Sequence, residues 1–236
     1  MGETKERPIL FSSPMVRSIL EGRKTQTRRV VKNVPDWIDQ FGYTCFTPKG
    51  SISGRGYWKG VPGDDEGPAE KFFPCPYGVP GDRLWVRETH LLDPPQDDTW
   101  DYTSYTDGEI ENVAKIPDRF RNPSHVLYSA DPRFDGRRGD YRWRPSIHMP
   151  RWASRITLEV TGVRVERLQE IRDADCEAEG VLPASEGDAA DWRVNESGWR
   201  RTYRQLWDSI HGAGAWDASP WVWVIEFAAR AAGGEG

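Results

Sequence analysis

The segment Gly22-Arg23-Lys24-Thr25-Gln26-Thr27-Arg28-Arg29 puts a lysine three residues ahead of a threonine. A threonine hydroxyl is a weak nucleophile at neutral pH and needs a base beside it, and a lysine kept neutral by burial is such a base. In a straight strand, residues i and i+3 point to opposite faces. Lys24 and Thr27 therefore meet only if Lys24 sits in the turn after Gly22 and the strand starts later; the alternative is a solvated basic strand edge. Glu179, near the end of the short helical segment DADCEAEGV, offers a carboxylate to pair with the lysine or to hold a proton for a leaving group. Its alternative is a solvent-facing helix glutamate like its neighbour Glu177. In the run VRETH, Arg87 and Glu88 lie on opposite faces of a strand, so one of them points inward. An inward Glu88 needs a partner, and Lys24 or an arginine would serve, in a structural ion pair as readily as in a catalytic one.

A different chemistry is suggested by RFDGRRGDYRWRPSIHMPRW, residues 133 to 152. Arginines contact phosphates and stack on bases, and aromatic rings offer stacking platforms. Arg142, Trp143, Arg144, Arg151 and Trp152 are the candidates for gripping nucleic acid or substrate, joined by Arg23 and Arg28 from the first motif and by Glu88. The alternative is an ordered surface loop whose arginines pair with Asp131, Asp135 and Asp140. Metal binding and a metal cofactor are not expected: the four His and three Cys show neither CxxC nor HExxH spacing. No serine sits in a GxSxG elbow, and there is no GxGxxG or P-loop.

These segments belong to a chain of 236 residues with 32 Lys+Arg against 37 Asp+Glu, a net charge of -5 that excludes a generally basic nucleic-acid binder but not a local basic site. Seven arginines fall between residues 133 and 155, and a local excess of this kind survives an acidic total. The 12 Trp exceed what one core of this size needs. Trp199, Trp207, Trp221 and Trp223 fit a helix and strand core, leaving Trp143 and Trp152 as stacking candidates. No apolar run approaches the roughly 20 residues of a membrane span. The opening MGETKERPIL has no apolar signal region, and the odd, scattered cysteines fit a reducing compartment, so a cytoplasmic, membrane-free protein is expected.

The elements that must position these residues are short. A strand at Pro8 to Phe11 leads to a helix capped by Ser12 or Ser13, with Val16, Ile19 and Leu20 on its apolar face. Residues 33 to 82 carry recurrent Pro and Gly and read as a long, mostly irregular insertion with one hairpin around Tyr43 to Phe46. Leu84 to Leu92 reads as a strand, 93 to 122 as an acidic loop, and His125 to Ala130 as a short strand. Arg155 to Arg167 alternates as a long strand, Asp173 to Gly180 is a short helix capped by Asp173, and Ser197 to His211 is a helix with an apolar stripe from Trp199 to Ile210. Pro220 to Ala228 is a buried strand, and residues 231 to 236 form a tail. Strands in irregular order with few helices predict an α+β fold built on a small β-barrel, as one domain over residues 1 to 230.

ILEGRKTQTRR resembles the opening motif of ASCH-domain proteins, which have a PUA-like β-barrel fold. The resemblance continues through YGVPGDRLWVRETH, WRPSIHMPRWASRITLEVTGVRVERLQEI, DADCEAEGV and SPWVWVIEF, in the expected order. Together these look like the larger ASCH proteins of bacterial and phage genomes, with residues 33 to 82 and 93 to 122 as insertions; a phage-encoded member would work in the host cytoplasm. The family implies binding of RNA or other nucleic acids. One small bacterial branch hydrolyses N4-acetylcytidine with a Lys, a Thr three residues later and a helix Glu. Those roles carry over to Lys24, Thr27 and Glu179, without a cofactor. The chain departs from that branch in having more than one hundred extra residues. Two expectations follow: amide hydrolysis of an N4-acetylcytidine-like base or nucleoside, or non-catalytic binding of RNA, a nucleoside or a modified base.

Overall fold

Proline and glycine interrupt the apolar runs every few residues, so the regular elements are short and the fold depends on pairing distant segments. The computed structural model describes residues 4–36, 38–44, 57–62, 71–93, 116–184 and 197–230. In chain order these form β1 (Glu6–Leu10), α1 (Ser13–Leu20), β2 (Gln26–Val30), β3 (Ile38–Thr44), β4 (Tyr57–Pro62), β5 (Lys71–Phe73), β6 (Arg83–Arg87), β7 (His90–Leu92), β8 (Val126–Tyr128), β9 (Thr157–Arg167), α2 (Asp173–Ala178), α3 (Gly198–His211) and β10 (Trp221–Arg230). The architecture is α+β. Its largest sheet has five strands in the order β1-β6-β9-β10-β2, an open order with β1 and β2 at the edges among the described residues.

The chain divides into two compact units. The first comprises residues 1–6, 18–83 and 159–229, and the second comprises residues 7–17, 84–158 and 230–236. In the first unit, β10 runs antiparallel to β2, with Ile225 opposite Thr27 and Val224 opposite Arg28. Alternation along β10 sends Val222 and Val224 into a core with Cys176 of α2, Tyr203 and Trp207 of α3, and Trp216. The strand is buried on both faces, because Trp223, Ile225 and Phe227 are buried as well. Helix α3 starts where Ser197 Oγ accepts the Arg200 N–H at 3.2 Å. Its apolar stripe is buried at Tyr203 and Trp207, but Ile210, one residue from the helix end, is 63% exposed.

Residues 33 to 82 hold more order than a single hairpin. Strands β3, β4 and β5 form an antiparallel sheet, with Tyr43 opposite Trp58 and Trp58 opposite Phe73. Pro62 ends β4 and Pro74 follows β5, and the Phe41 ring lies 5.2 Å from Phe73 and 5.0 Å from Trp221. Of the expected hairpin, Tyr43 lies in β3, while Cys45 and Phe46 lie outside the described residues. So do residues 94–115 of the second expected insertion and the tail at 231–236.

In the second unit the expected strand from Leu84 to Leu92 is interrupted between β6 and β7. At the break the Glu88 N–H donates to Met149 Sδ at 3.4 Å instead of joining a ladder. Strand β7 then pairs with β8, His90 opposite Tyr128, over a core of Leu92, Ile116, Val126, Tyr128, Met149 and Ala153.

Helix α2 ends at Glu179, and Gly180 follows with φ +83°. The N-terminal turn of α2 is closed by Asp175, whose Oδ2 accepts the Arg172 N–H at 3.0 Å, rather than by the expected Asp173 cap. A Cβ on Gly180 would stand 2.8 Å from Ser18 Cβ and 2.9 Å from Lys24 Cβ, so glycine lets the helix end lie directly on the segment that carries Lys24. Gly180→Ala should destabilise by ~2–4 kcal/mol, combining left-handed backbone strain with overpacking. Gly81→Ala is the control: φ is +90° there with open space around the Cβ, so only backbone strain of ~1–2 kcal/mol applies. Denaturant unfolding of both variants measures the difference, and equal losses would show that the close approach costs nothing.

Candidate functional site

Two backbone features bring Lys24 to Glu179. The chain turns at Gly22, with the Arg23 and Lys24 N–H groups both donating to the Ser18 carbonyl, at 2.9 and 3.0 Å. Strand β2 begins only at Gln26, so Lys24 belongs to the turn segment and not to the strand. The Thr25 N–H donates to the Ala178 carbonyl at 2.8 Å, tying this segment to the end of α2.

Lys24 is 4% exposed and Glu179 4%. Lys24 Nζ donates to Glu179 Oε2 at 2.8 Å, to the Glu179 carbonyl at 2.7 Å and to the Gln26 carbonyl at 2.8 Å. Three acceptors around one nitrogen match the three donors of an ammonium. Burial opposes that charge and lowers the lysine pKa below its ordinary value, while the Glu179 carboxylate resists the fall and Arg28 and Arg29 add to it.

Arg28 lies beside this pair and has no exposed side-chain surface. Its Nη1 donates to Glu179 Oε1 at 3.3 Å. Its Nη2 meets Glu166 Oε2 at 3.2 Å and Asp175 Oδ2 at 3.5 Å. One guanidinium thus serves three carboxylates, and its Nε has no partner. Arg164 extends the network to Glu166, Asp175 and Glu226. Gln26 Nε2 donates to the carbonyl and to Oδ1 of Asp175, at 3.0 and 3.1 Å.

Alternation along β2 puts Gln26 and Arg28 on the pleat facing α2. It puts the buried Thr27, opposite Ile225, on the other pleat. Lys24 and Glu179 come together, with Arg28 as their neighbour, and Thr27 stands across the strand from Arg28. Arg23 is exposed, paired with Glu21, and donates to the Gly180 carbonyl at 3.1 Å. Sequence reasoning passed over Glu166, Asp175 and Arg164. Their signals were spacing: Asp175 and Glu179 are four apart on one helix face, and Arg164 and Glu166 are two apart on one strand face.

The second unit holds the remaining candidates. Glu88 points inward and its partner is Arg155, in a two-pronged pair of 2.9 and 3.0 Å. The Arg155 guanidinium also lies 3.9 Å from the Tyr128 ring centre. Burial raises the Glu88 pKa against the pull of Arg155. In the arginine-rich loop, Arg133, Arg137 and Arg138 pair with Asp131, Asp140 and Asp135. Trp143 packs between Phe134 and Tyr141, at 5.1 and 5.5 Å, and donates its Nε1–H to the Arg138 carbonyl. Trp152 is half-buried against the Met149 core. Arg144 forms a backbone bridge to His90, whereas Arg142 and Arg151 are exposed, with Arg151 over the Trp85 ring at 5.8 Å. Among the described residues, no group of His, Cys, Asp and Glu is placed to hold a metal ion, and no helix is long and apolar enough to cross a membrane.

No family model matches the chain, and no curated protein or solved structure matches it either.

His90 is fully buried beside Glu88, its Nδ1 3.2 Å from the Glu88 carbonyl and its Nε2 without a partner. A carbonyl can only accept, so Nδ1 carries the proton of the neutral ring. Burial lowers the His90 pKa from 6.5 to about 4, with Arg144, His148 and Arg87 adding to the fall. Between those values the unfolded chain binds more protons than the folded one, so stability should fall as pH drops from 6.5 to about 4. This group accounts for ~3 kcal/mol of that loss. Denaturant unfolding at pH 7 and pH 4 reads it; His90→Phe should lose less, and an equal loss in both proteins would assign the acid sensitivity elsewhere.

Proposed function

We propose that this chain is an ASCH-type protein with a PUA-like fold that hydrolyses the exocyclic amide of an N-acylated base or nucleoside such as N4-acetylcytidine. The observation that carries this reading is the buried Lys24–Glu179 pair: two residues 155 positions apart meet at 2.8 Å, with the lysine desolvated. A lysine and a helix glutamate at matching motif positions are what the resemblance to the N4-acetylcytidine hydrolases requires.

In this mechanism the amine form of Lys24 takes the proton from the Thr27 hydroxyl. Thr27 Oγ1 forms a bond to the acyl carbon, and the C–N bond to the base breaks. The Lys24 ammonium returns the proton to the departing nitrogen. Water then cleaves the acyl-threonine ester, releasing the carboxylate and restoring the hydroxyl. Glu179 orients Lys24 throughout and stabilises its ammonium form. Thr27 rests on the motif alone, because alternation along β2 puts it on the pleat away from α2; where it stays there, water activated by Lys24 is the nucleophile and no acyl-enzyme forms.

The alternative, a module that binds RNA or a modified base without turning it over, leans on the arginine-rich loop. Three of the loop's arginines are engaged with aspartates and Trp143 is packed within the loop, so less supports it.

Incubation with N4-acetylcytidine should release cytidine and acetate. Lys24→Arg should lower kcat by ~100-fold or more, the loss of a general base. Because the base must be unprotonated, kcat/KM should rise with pH through a limb below 10.5 that reports Lys24. Thr27→Ala should abolish a covalent acyl-enzyme detectable by mass spectrometry. Absence of turnover by the wild-type protein across N-acylated cytidine, adenosine and guanosine sinks the hydrolase reading.

A further inference from the structure

Arg28 is more than a neighbour of the buried pair. Two of its partners, Glu166 and Asp175, also line an open cleft of about 760 Å³ together with Arg164, Glu170, Arg172 and Ala174. Its third partner is Glu179. The guanidinium therefore connects the cleft wall to the carboxylate that holds Lys24, and all of these residues belong to the first compact unit. The volume falls within the range of small-molecule sites. The lining offers carboxylates to N–H donors and guanidinia to carbonyl acceptors. Three carboxylates stand against two guanidinia, so a ligand bearing its own negative charge is disfavoured.

We propose that this cleft binds a compact, uncharged ligand with N–H donors and carbonyl acceptors on one edge, and that Arg28 transmits its occupancy to the Lys24–Glu179 pair. A ligand N–H that takes Glu166 or Asp175 as its acceptor weakens that carboxylate's hold on Arg28. Arg28 then turns more of its charge toward Glu179, and Glu179 stabilises the Lys24 ammonium less. Binding in the cleft thereby moves Lys24 toward the amine, the form the proposed hydrolysis uses. Arg28 is a positioning residue in this scheme. The choice of a nucleoside as probe rests on the proposed function, whereas the coupling from cleft to lysine does not.

The experiment follows the Lys24 side-chain resonance of the lysine-labelled full chain, assigned by its loss in Lys24→Arg. Cytidine should bind saturably and shift the Lys24 titration midpoint to lower pH, and cytidine 5′-monophosphate should bind more weakly. Glu166→Gln, on a half-buried strand residue, should weaken cytidine by about tenfold, the loss of one hydrogen bond to a charged group. In the free protein the same variant should lower the Lys24 midpoint. Arg28→Met should raise that midpoint and remove its response to cytidine; should it fail to fold, Glu166→Gln alone decides. Saturable binding that leaves Lys24 unmoved, a Glu166→Gln midpoint equal to wild type, or no cytidine binding would each overturn the proposal. Turnover of N4-acetylcytidine is scored separately: a responding Lys24 without turnover leaves this inference standing and removes the hydrolase, and turnover with an unresponsive Lys24 does the reverse.

Discussion

A lysine and a glutamate removed from water lose hydration worth several kcal/mol each, and only good mutual geometry restores it. Lys24 and Glu179 meet that condition through more than their own contact. The ammonium has two backbone carbonyls in addition to the carboxylate, and the carboxylate has Arg28 on its second oxygen. Every nearby piece of local structure serves this constraint. The turn at Gly22 takes Lys24 off the strand, Gly180 allows the end of α2 to approach, and the late start of β2 aims Gln26 and Arg28 at α2. Such a pair adds little net stability against a hydrophobic replacement of the same shape.

The burial of Arg28 changes how the charge of the motif is understood. A string of Arg and Lys at residues 23 to 29 looks like a basic face, yet its centre is buried among Glu166, Asp175 and Glu179. The positive charge is neutralised inside the unit rather than displayed. The arginine-rich loop of the second unit repeats the pattern with its aspartates, and Arg155 is taken by Glu88. In both units arginine organises carboxylates, which is consistent with a protein of net charge -5.

What was legible in the sequence was local. The two helices with apolar faces, the long alternating strand from Thr157 and the buried strand from Trp221 all carry their own periodicity, and each is found close to where that periodicity puts it. The placement of Lys24 in a turn ahead of a late strand was also readable, because Gly22 marks the turn. The three-stranded sheet of β3, β4 and β5 was hidden by its prolines, because a proline at a strand end, such as Pro62, cannot be told in sequence from one that breaks a strand. Arg155 as the partner of Glu88, and Glu166 as a partner of Arg28, were not legible. These contacts join segments more than 65 residues apart, and no window of sequence contains both ends. The same limit applies to Thr27: strand alternation is local, but which pleat faces α2 is decided by the pairing with β10.

The pairing of β2 with β10 also sets an order of events. Ile225 lies opposite Thr27, so the strand that follows Lys24 has its β10 neighbour only after nearly two hundred further residues have been made. Contacts of such separation form late and slowly. Before that pairing Lys24 is hydrated and keeps the ordinary proton affinity that burial reduces in the folded chain. The buried setting that lowers the Lys24 pKa is completed with the closing strand, so a chain lacking β10 carries the motif without that setting.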